Sequence, residues 1–283
     1  MPNDWWKDFF SGLIVDFWQA VIPEETTKAE ADFLEKHLQL SSPGARVLDV
    51  PCGGGRLAIE LAARGCRLVA VDISPQFLEA GREAARERGF TVEWRQADMR
   101  DLPWRGEFDA VYCAGSSFGF LGDEGDREFL SAVARALKPG GRLFADFKAA
   151  DSILPNFRER YEMRIGDIEF QARNAYDPVT ATMRSDYIVS RGDRVEKKAA
   201  LHRIYTTREI LRLLEHAGFS SVQTFGSIEG EPFRLSSPTL VVVAEGVRSP
   251  LATLGVRSPL ATSLREDGKT ITADRALSRS VKT

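Results

Sequence analysis

Between Val47 and Ala62 the chain reads VLDVPCGGGRLAIELA, an apolar strand that runs into three consecutive glycines and then into a helix. Such a turn lets backbone approach a ligand closely, and the helix N-terminus behind it faces that ligand with unpaired N–H groups. Gly53, Gly55 and Ala58 also satisfy the G-x-G-x-x-A spacing of dinucleotide-binding loops, a degenerate pattern by itself. Asp49 closes the strand before the turn, and Asp72 closes the next apolar strand, RLVAVD, 23 positions later. A carboxylate there can accept from both hydroxyls of a ribose. Asp98, in QADMRDLP, ends a third strand, where it can accept from an exocyclic adenine amine while Met99 flanks the ring. Three acidic strand ends on one sheet edge imply a site for a nucleoside.

These carboxylates meet only if their strands run side by side in one direction. From Arg46 short β-branched runs alternate with amphipathic helices: RVLDV, a helix over 56–64, RLVAVD, a helix over 75–88 with Ser74 as N-cap, TVEWRQ, FDAVYC, a helix over 126–137, and GRLFADF. This rhythm predicts an α/β, Rossmann-like, mostly parallel sheet with helices on both faces, its first part spanning residues 45–147. Residues 148–205 interrupt it with IEFQARNAY, ATMRSDYIVS and RVEKKAALHRI, an antiparallel β insertion. Residues 206–245 resume it with the helix REILRLLEHAG, capped by Thr206 or Thr207, then SVQTFG and TLVVVAE.

Ahead of the sheet, residues 1–44 read as helical. Trp6, Phe10, Leu13, Phe17 and Val21 fall on one face of a helix over 5–22, and a second helix follows over 24–38. The aromatic face is either plain packing or a lid over a ligand. Residues 246–283 repeat GVRSPLAT, hold no aromatic residue and carry a basic excess, so a disordered tail is expected.

In order and spacing this set resembles the class I S-adenosylmethionine-dependent methyltransferases of small-molecule type. VLDVPCGGGR is similar to their first motif, LVAVDIS to their ribose motif, QADMRDLP to their adenine motif, FDAVYCAGSSFGFL to their fourth motif, and LKPGGRLFADF to the turn into their fifth strand. The likeness covers residues 45–245. It implies a seven-stranded sheet with an antiparallel last strand, and S-adenosylmethionine as cofactor. It also implies cofactor contacts from Asp49 (the amino-acid part), Asp72 (the ribose), Gly53, Gly55, Arg56, Ile73, Asp98, Met99 and Cys113. Pro51 departs from the family at the first glycine of the loop, and no Asn/Asp-Pro-Pro-Tyr follows the fourth strand, which argues against methylation of DNA bases or glutamine side chains.

The insertion resembles the β cap of methyltransferases acting on free amino acids and aminosugars, so the resemblance implies a small-molecule acceptor methylated at N or O, with Trp18, Ser117 and Tyr205 in its pocket. His202 and Tyr205, where the insertion returns to the sheet, are the candidates for moving a proton; a strand histidine held by a backbone partner is the plainer reading of His202. Two rival functions share the glycine loop: an NAD-dependent oxidoreductase and a non-catalytic cofactor-binding protein.

Composition narrows the rest. The net charge of −3 over 283 residues leaves no basic excess for a nucleic-acid backbone. Three cysteines and three histidines, without an HExxH, predict neither a disulfide framework nor a metal site. No apolar run is long enough to span a bilayer and no secretory leader is evident, so a cytoplasmic location is expected. The oligomeric state is left open.

Overall fold

Strands that are apolar without alternation need cover on both faces, and the central ones here have it. The computed structural model describes residues 4–247, together with the backbone of 265–266 and 269–270. The N-terminal part forms α1 (Trp6–Phe9), α2 (Leu13–Ala20) and α3 (Glu24–His37). Next come β1 (Arg46–Asp49), α4 (Arg56–Ala63), β2 (Arg67–Asp72), α5 (Pro75–Glu87), β3 (Val92–Gln96), β4 (Phe108–Cys113), α6 (Gly122–Ala136) and β5 (Leu137–Phe147). The insertion holds α7 (Ala150–Ile153), β6 (Arg160–Ile165), β7 (Ile168–Asp177), β8 (Thr182–Arg191) and β9 (Arg194–Arg203). Then α8 (Thr207–Ala217), β10 (Phe219–Phe225) and β11 (Leu240–Val247) complete the described fold.

The main sheet has the order β10-β11-β5-β4-β1-β2-β3, and β11 alone runs against its neighbours. This is the mixed seven-stranded Rossmann-like arrangement anticipated above. In β1, successive side chains go to opposite faces: Val47 joins Phe33, Leu34, Leu57 and Leu61 under α3 and α4, whereas Leu48 joins Phe129, Leu130, Ile210 and Leu214 under α6 and α8. Both are fully buried. Ser74 caps α5 by accepting from the Phe77 N–H, and Thr206 caps α8 in a reciprocal box with Glu209.

The insertion is a four-stranded antiparallel sheet of order β6-β7-β8-β9, one strand more than the three predicted. Its inner face buries Ile168, Phe170, Ala172, Tyr187, Val189 and Ala200 against Phe9, Leu13, Ile14 and Phe17 of the N-terminal helices. Phe17 stacks on Phe170 with ring centroids 4.1 Å apart.

The helix predicted over 5–22 is broken in two. Gly12 adopts φ +73°, and the Glu196 carboxylate occupies the space where a β-carbon would stand. Gly12 N–H donates to Gln76 Oε1 (2.7 Å), Leu13 N–H donates to Glu196 Oε2 (2.9 Å), and Ser74 Oγ donates to the Phe10 carbonyl (2.6 Å). Tertiary partners thus satisfy the backbone groups that a continuous helix would have paired internally. Helix α6 starts at Gly122, four residues earlier than predicted. Among the described residues no helix is long and apolar enough to cross a membrane, and no cluster of His, Cys, Asp or Glu is placed to hold a metal ion. Beyond Val247 the repeats, and most of the tail for which disorder is expected, lie outside the described residues; 265–266 and 269–270 pair as two short antiparallel strands.

Candidate cofactor and acceptor site

A cavity of about 580 Å³ lies over the carboxyl edge of the main sheet. The thirteen candidate residues fall into two groups, nine that reach it and four that do not. Asp49, Gly53, Arg56, Asp72, Ile73, Asp98 and Met99 line it, as do Trp18 and Ser117; Gly55, Cys113, His202 and Tyr205 do not.

Asp49 ends β1 at 2% exposure. Its Oδ2 has no hydrogen-bond partner, and neither does the Tyr112 hydroxyl. Burial pushes its carboxyl well above the usual range, with the neighbouring Tyr112 hydroxyl and then the charge of Arg56 pulling the other way. An acceptor left unsatisfied in a buried place costs free energy until a donor arrives. Asp72 ends β2 and is pre-arranged: Oδ2 accepts from Gly53 N–H and Oδ1 from Ser74 N–H, each at 2.8 Å. The carboxylate therefore fixes the glycine loop while each oxygen keeps lone-pair capacity for a ligand. Burial raises its pKa to about 6 against these hydrogen bonds.

The loop after β1 turns at Gly53 (φ +53°), where a β-carbon would meet nothing within 4 Å, so the backbone at this point borders open space. Pro51, the departure from the family pattern, lines the cavity through a cis Val50–Pro51 bond. Gly55 has a different job. It sits at φ +68° beneath the Trp94 indole, which also lies where a side chain on Gly81 would go. Gly55 is therefore required for packing between α4, α5 and β3, which corrects its reading as a cofactor contact.

Asp98 lies two residues past β3 and is gripped by Arg100, whose Nε and Nη2 reach Oδ1 (3.0 Å) and Oδ2 (2.8 Å). This pair holds the Asp98 carboxyl below its usual range in spite of burial. Arg56 is ion-paired with Glu30 and donates to Thr27 Oγ1 (3.1 Å). Cys113, the last residue of β4, is wholly buried among Leu48, Val111 and Phe147; the next residue, Ala114, faces the cavity instead.

His202 and Tyr205 act one layer back. His202 is 3% exposed, and its Nε2 donates to the Phe118 carbonyl at 2.7 Å. Burial, reinforced by the charge of Lys148, drives its pKa far down, so the ring is neutral. The Tyr205 hydroxyl donates to Asp126 Oδ2 (2.9 Å), and Asp126 Oδ1 accepts from Gly119 N–H (3.2 Å). Arg203 N–H adds a bond to the Gly119 carbonyl (2.8 Å). Together β9 and its exit clamp the 114–121 loop, which presents Ser117, Phe120 and Leu121 to the cavity. Neither residue reaches the cavity, so their reading as proton-moving groups, and of Tyr205 as an acceptor contact, is corrected to one of positioning.

The roof is aromatic: Trp6, Phe9, Phe10 and Trp18 from the N-terminal helices, Phe120 from the loop and Tyr187 from the insertion. Sequence reasoning missed Phe120, Tyr187 and Lys148. Lys148 directly follows β5, so it occupies the same kind of strand-end position that singled out the aspartates.

Comparison with known proteins agrees with this geometry. Residues 47–141 match the family model of a methyltransferase domain. A ubiquinone biosynthesis O-methyltransferase of Xanthomonas oryzae pv. oryzae is 35% identical over 143 residues, 48% of this chain and 58% of its own length. The chain thus matches little more than half the length of such curated relatives. Among solved structures, the CcbJ methyltransferase from Streptomyces caelestis superposes with a TM-score of 0.73 at 20% identity, covering 86% of this chain and 99% of that one. An amino pentose methyltransferase from Micromonospora echinaspora, solved with S-adenosylmethionine bound, gives 0.62 at 20% identity over 84% and 98%. The fold is that of the class I methyltransferases. Within that fold, residues 47–141 are a methyltransferase domain by their family match.

Proposed function

We propose that this protein transfers a methyl group from S-adenosylmethionine to a nitrogen or oxygen of a small-molecule acceptor. The observation that carries the reading is the linear order of the rim: Asp49 and Asp72 end β1 and β2, Asp98 lies just past β3, and these strands are neighbours in that order. The residues fit the cofactor. Asp49 Oδ2 is a buried acceptor without a donor, which suits an ammonium group. Asp72 has free lone pairs beside the left-handed Gly53, suiting ribose hydroxyls under an open stretch of backbone. Asp98 keeps lone-pair capacity beside Met99, and Ile73 and Met99 supply apolar walls. The cavity volume is in the range of small-molecule sites.

When bound, the cofactor supplies a sulfonium methyl that is already activated for in-line displacement. The chain's own contribution is alignment and a dry enclosure. Asp49 and Asp72 hold the two ends of the nucleoside-amino-acid; Ser117 and the aromatic roof border the space left for the acceptor. In this reading residues 1–44 and 148–205 form the lid and cap, residues 45–147 and 206–245 the cofactor-binding core, and the enclosure favours a free small molecule over a polymer. The shared glycine loop also fits NAD, but the family match favours methyl transfer. Calorimetric titration with S-adenosylhomocysteine and with NAD tests the proposal: the first is expected to bind and the second not. Binding of NAD alone would overturn it.

A further inference from the structure

The cavity-lining residues include three cations, Arg56, Arg88 and Lys148. Arg56 is neutralised by Glu30 and Arg88 by Glu60. Lys148 differs. Among the described residues no carboxylate pairs with it: Asp146 is the one acid whose charge reaches it, and both Asp146 oxygens are occupied by Ser116, through its N–H (3.0 Å) and its hydroxyl (2.6 Å). His202, the other titratable group near it, is neutral and committed to the Phe118 carbonyl. An unpaired ammonium in a cavity that Phe9, Phe120 and Tyr187 also line is a donor waiting for an acceptor, and burial lowers its pKa accordingly.

Its place on the rim matters as much as its isolation. The sheet order puts β5 and β4 on one side of β1, with β2 and β3 on the other. Lys148, after β5, is three strand spacings from Asp72, or about 14 Å across the sheet. The acids grip the nucleoside over β1–β3, so Lys148 belongs to the acceptor's half of the cavity. The rim therefore runs from acidic at the cofactor end to basic at the other.

We propose that Lys148 receives an acidic oxygen of the methyl acceptor, and that the acceptor is a flat, largely apolar molecule carrying a carboxylate or an acidic hydroxyl. This rests on the methyl-transfer reading for the word acceptor, but the anion site itself is separable from it. Lys148 selects against amine-bearing molecules, whose charge it repels, and against neutral ones, which leave it unpaired.

The test uses the full chain and four aromatic probes: benzoate, 4-nitrophenol, benzyl alcohol and benzylamine. Binding is measured by calorimetry with and without saturating S-adenosylhomocysteine, for the wild type, Lys148→Met and Lys148→Arg. Benzoate or 4-nitrophenol is expected to bind, the former marking a carboxylate and the latter an acidic hydroxyl, with the visible phenolate band rising as 4-nitrophenol binds. Lys148→Met should weaken that binding by roughly 10- to 100-fold, as for loss of a charge-assisted hydrogen bond, and Lys148→Arg should restore part of it. S-adenosylhomocysteine affinity should be the same in all three proteins, which also reports that the variants fold. Tighter binding of benzylamine or benzyl alcohol, unchanged anion binding in Lys148→Met, or no binding of either anion by cofactor-loaded wild type would each overturn the assignment. Anion binding that depends on Lys148 in a protein that ignores S-adenosylhomocysteine would instead overturn methyl transfer and keep the lysine site.

Discussion

Asp72 should make cofactor affinity depend on pH, with a sign and size set by its surroundings. Its pKa is about 6 in the folded protein, above the ordinary 3.8, because burial outweighs the hydrogen bonds from Ser74, Gly53 and Ile73. A raised carboxyl pKa means that folding favours the protonated acid. The associated cost is absent below the unfolded value and complete above about pH 6, where it reaches about 3 kcal/mol. Ribose hydroxyls donate to the ionised form, so ligand binding recovers part of that cost and requires the proton to leave. One pH unit below the pKa only about a tenth of the protein is ionised, so affinity for S-adenosylhomocysteine should be about tenfold weaker at pH 5 than on the plateau above pH 7. Asp72→Asn should abolish the step near pH 6, leaving the separate titration of Asp49, and should weaken plateau binding by about 1–2 kcal/mol, the difference between charged and neutral hydrogen bonds. Calorimetry across pH 5–8 on both proteins reads this directly. Identical pH profiles, or an affinity that falls as pH rises through 6, would refute the role of Asp72.

Gly55→Ala forces a β-carbon at positive φ into the Trp94 ring and should cost more than about 2 kcal/mol of stability; in a Trp94→Ala background the clash is gone and only about 1 kcal/mol of backbone strain should remain, as urea unfolding of the cycle would show. Tyr205→Phe strands Asp126 Oδ2 and should lower stability by about 1–3 kcal/mol with S-adenosylhomocysteine affinity preserved; lost turnover at unchanged stability would put Tyr205 back in the site. Phe17→Ala removes the stack on Phe170 and should cost about 3–5 kcal/mol, with Phe170→Ala adding far less than its own separate cost, since both delete one contact.

What could be read along the chain was whatever a strand's own chemistry dictates. Asp49 and Asp72 were legible because a charged residue ending an apolar parallel strand has one place to go, the sheet's open edge. The mostly parallel sheet followed from the alternation of strand and helix. Cys113 was misplaced because the last residue of a strand can face either the core or the edge, and the pleat decided for the core. Gly55 was misread because a glycine needed for a ligand and one needed for an indole look alike until Trp94, 39 positions away, is brought against it. Strand β6 escaped because RYEMRI, although its polar and apolar residues alternate, is short and buries neither face fully. His202 and Tyr205 looked like reactive groups for the same reason that they are useful supports: each carries a strong directional hydrogen-bonding group. Only the Phe118 carbonyl and Asp126 show how those groups are used.

The cover over the cavity is one structure built from two distant stretches of sequence. Helices α1 and α2, of four and eight residues, are far below the length at which isolated helices persist in water, so their order must come from what they pack on. That support is the inserted sheet. Phe17 on Phe170, Arg191 on Asp16 (2.8 Å), Glu196 on the Leu13 N–H, and Phe9 against Tyr187 tie each helix to it. The insertion in turn needs that contact: without the helices, Ile168, Phe170 and Val189 would face water, an apolar surface that a lone four-stranded sheet does not expose. Each half therefore supplies the other's missing hydrophobic face. The aromatic side chains of both halves that border the cavity belong to that same cluster or pack against it, so the packing that orders the cover also sets the walls of the space beside Lys148.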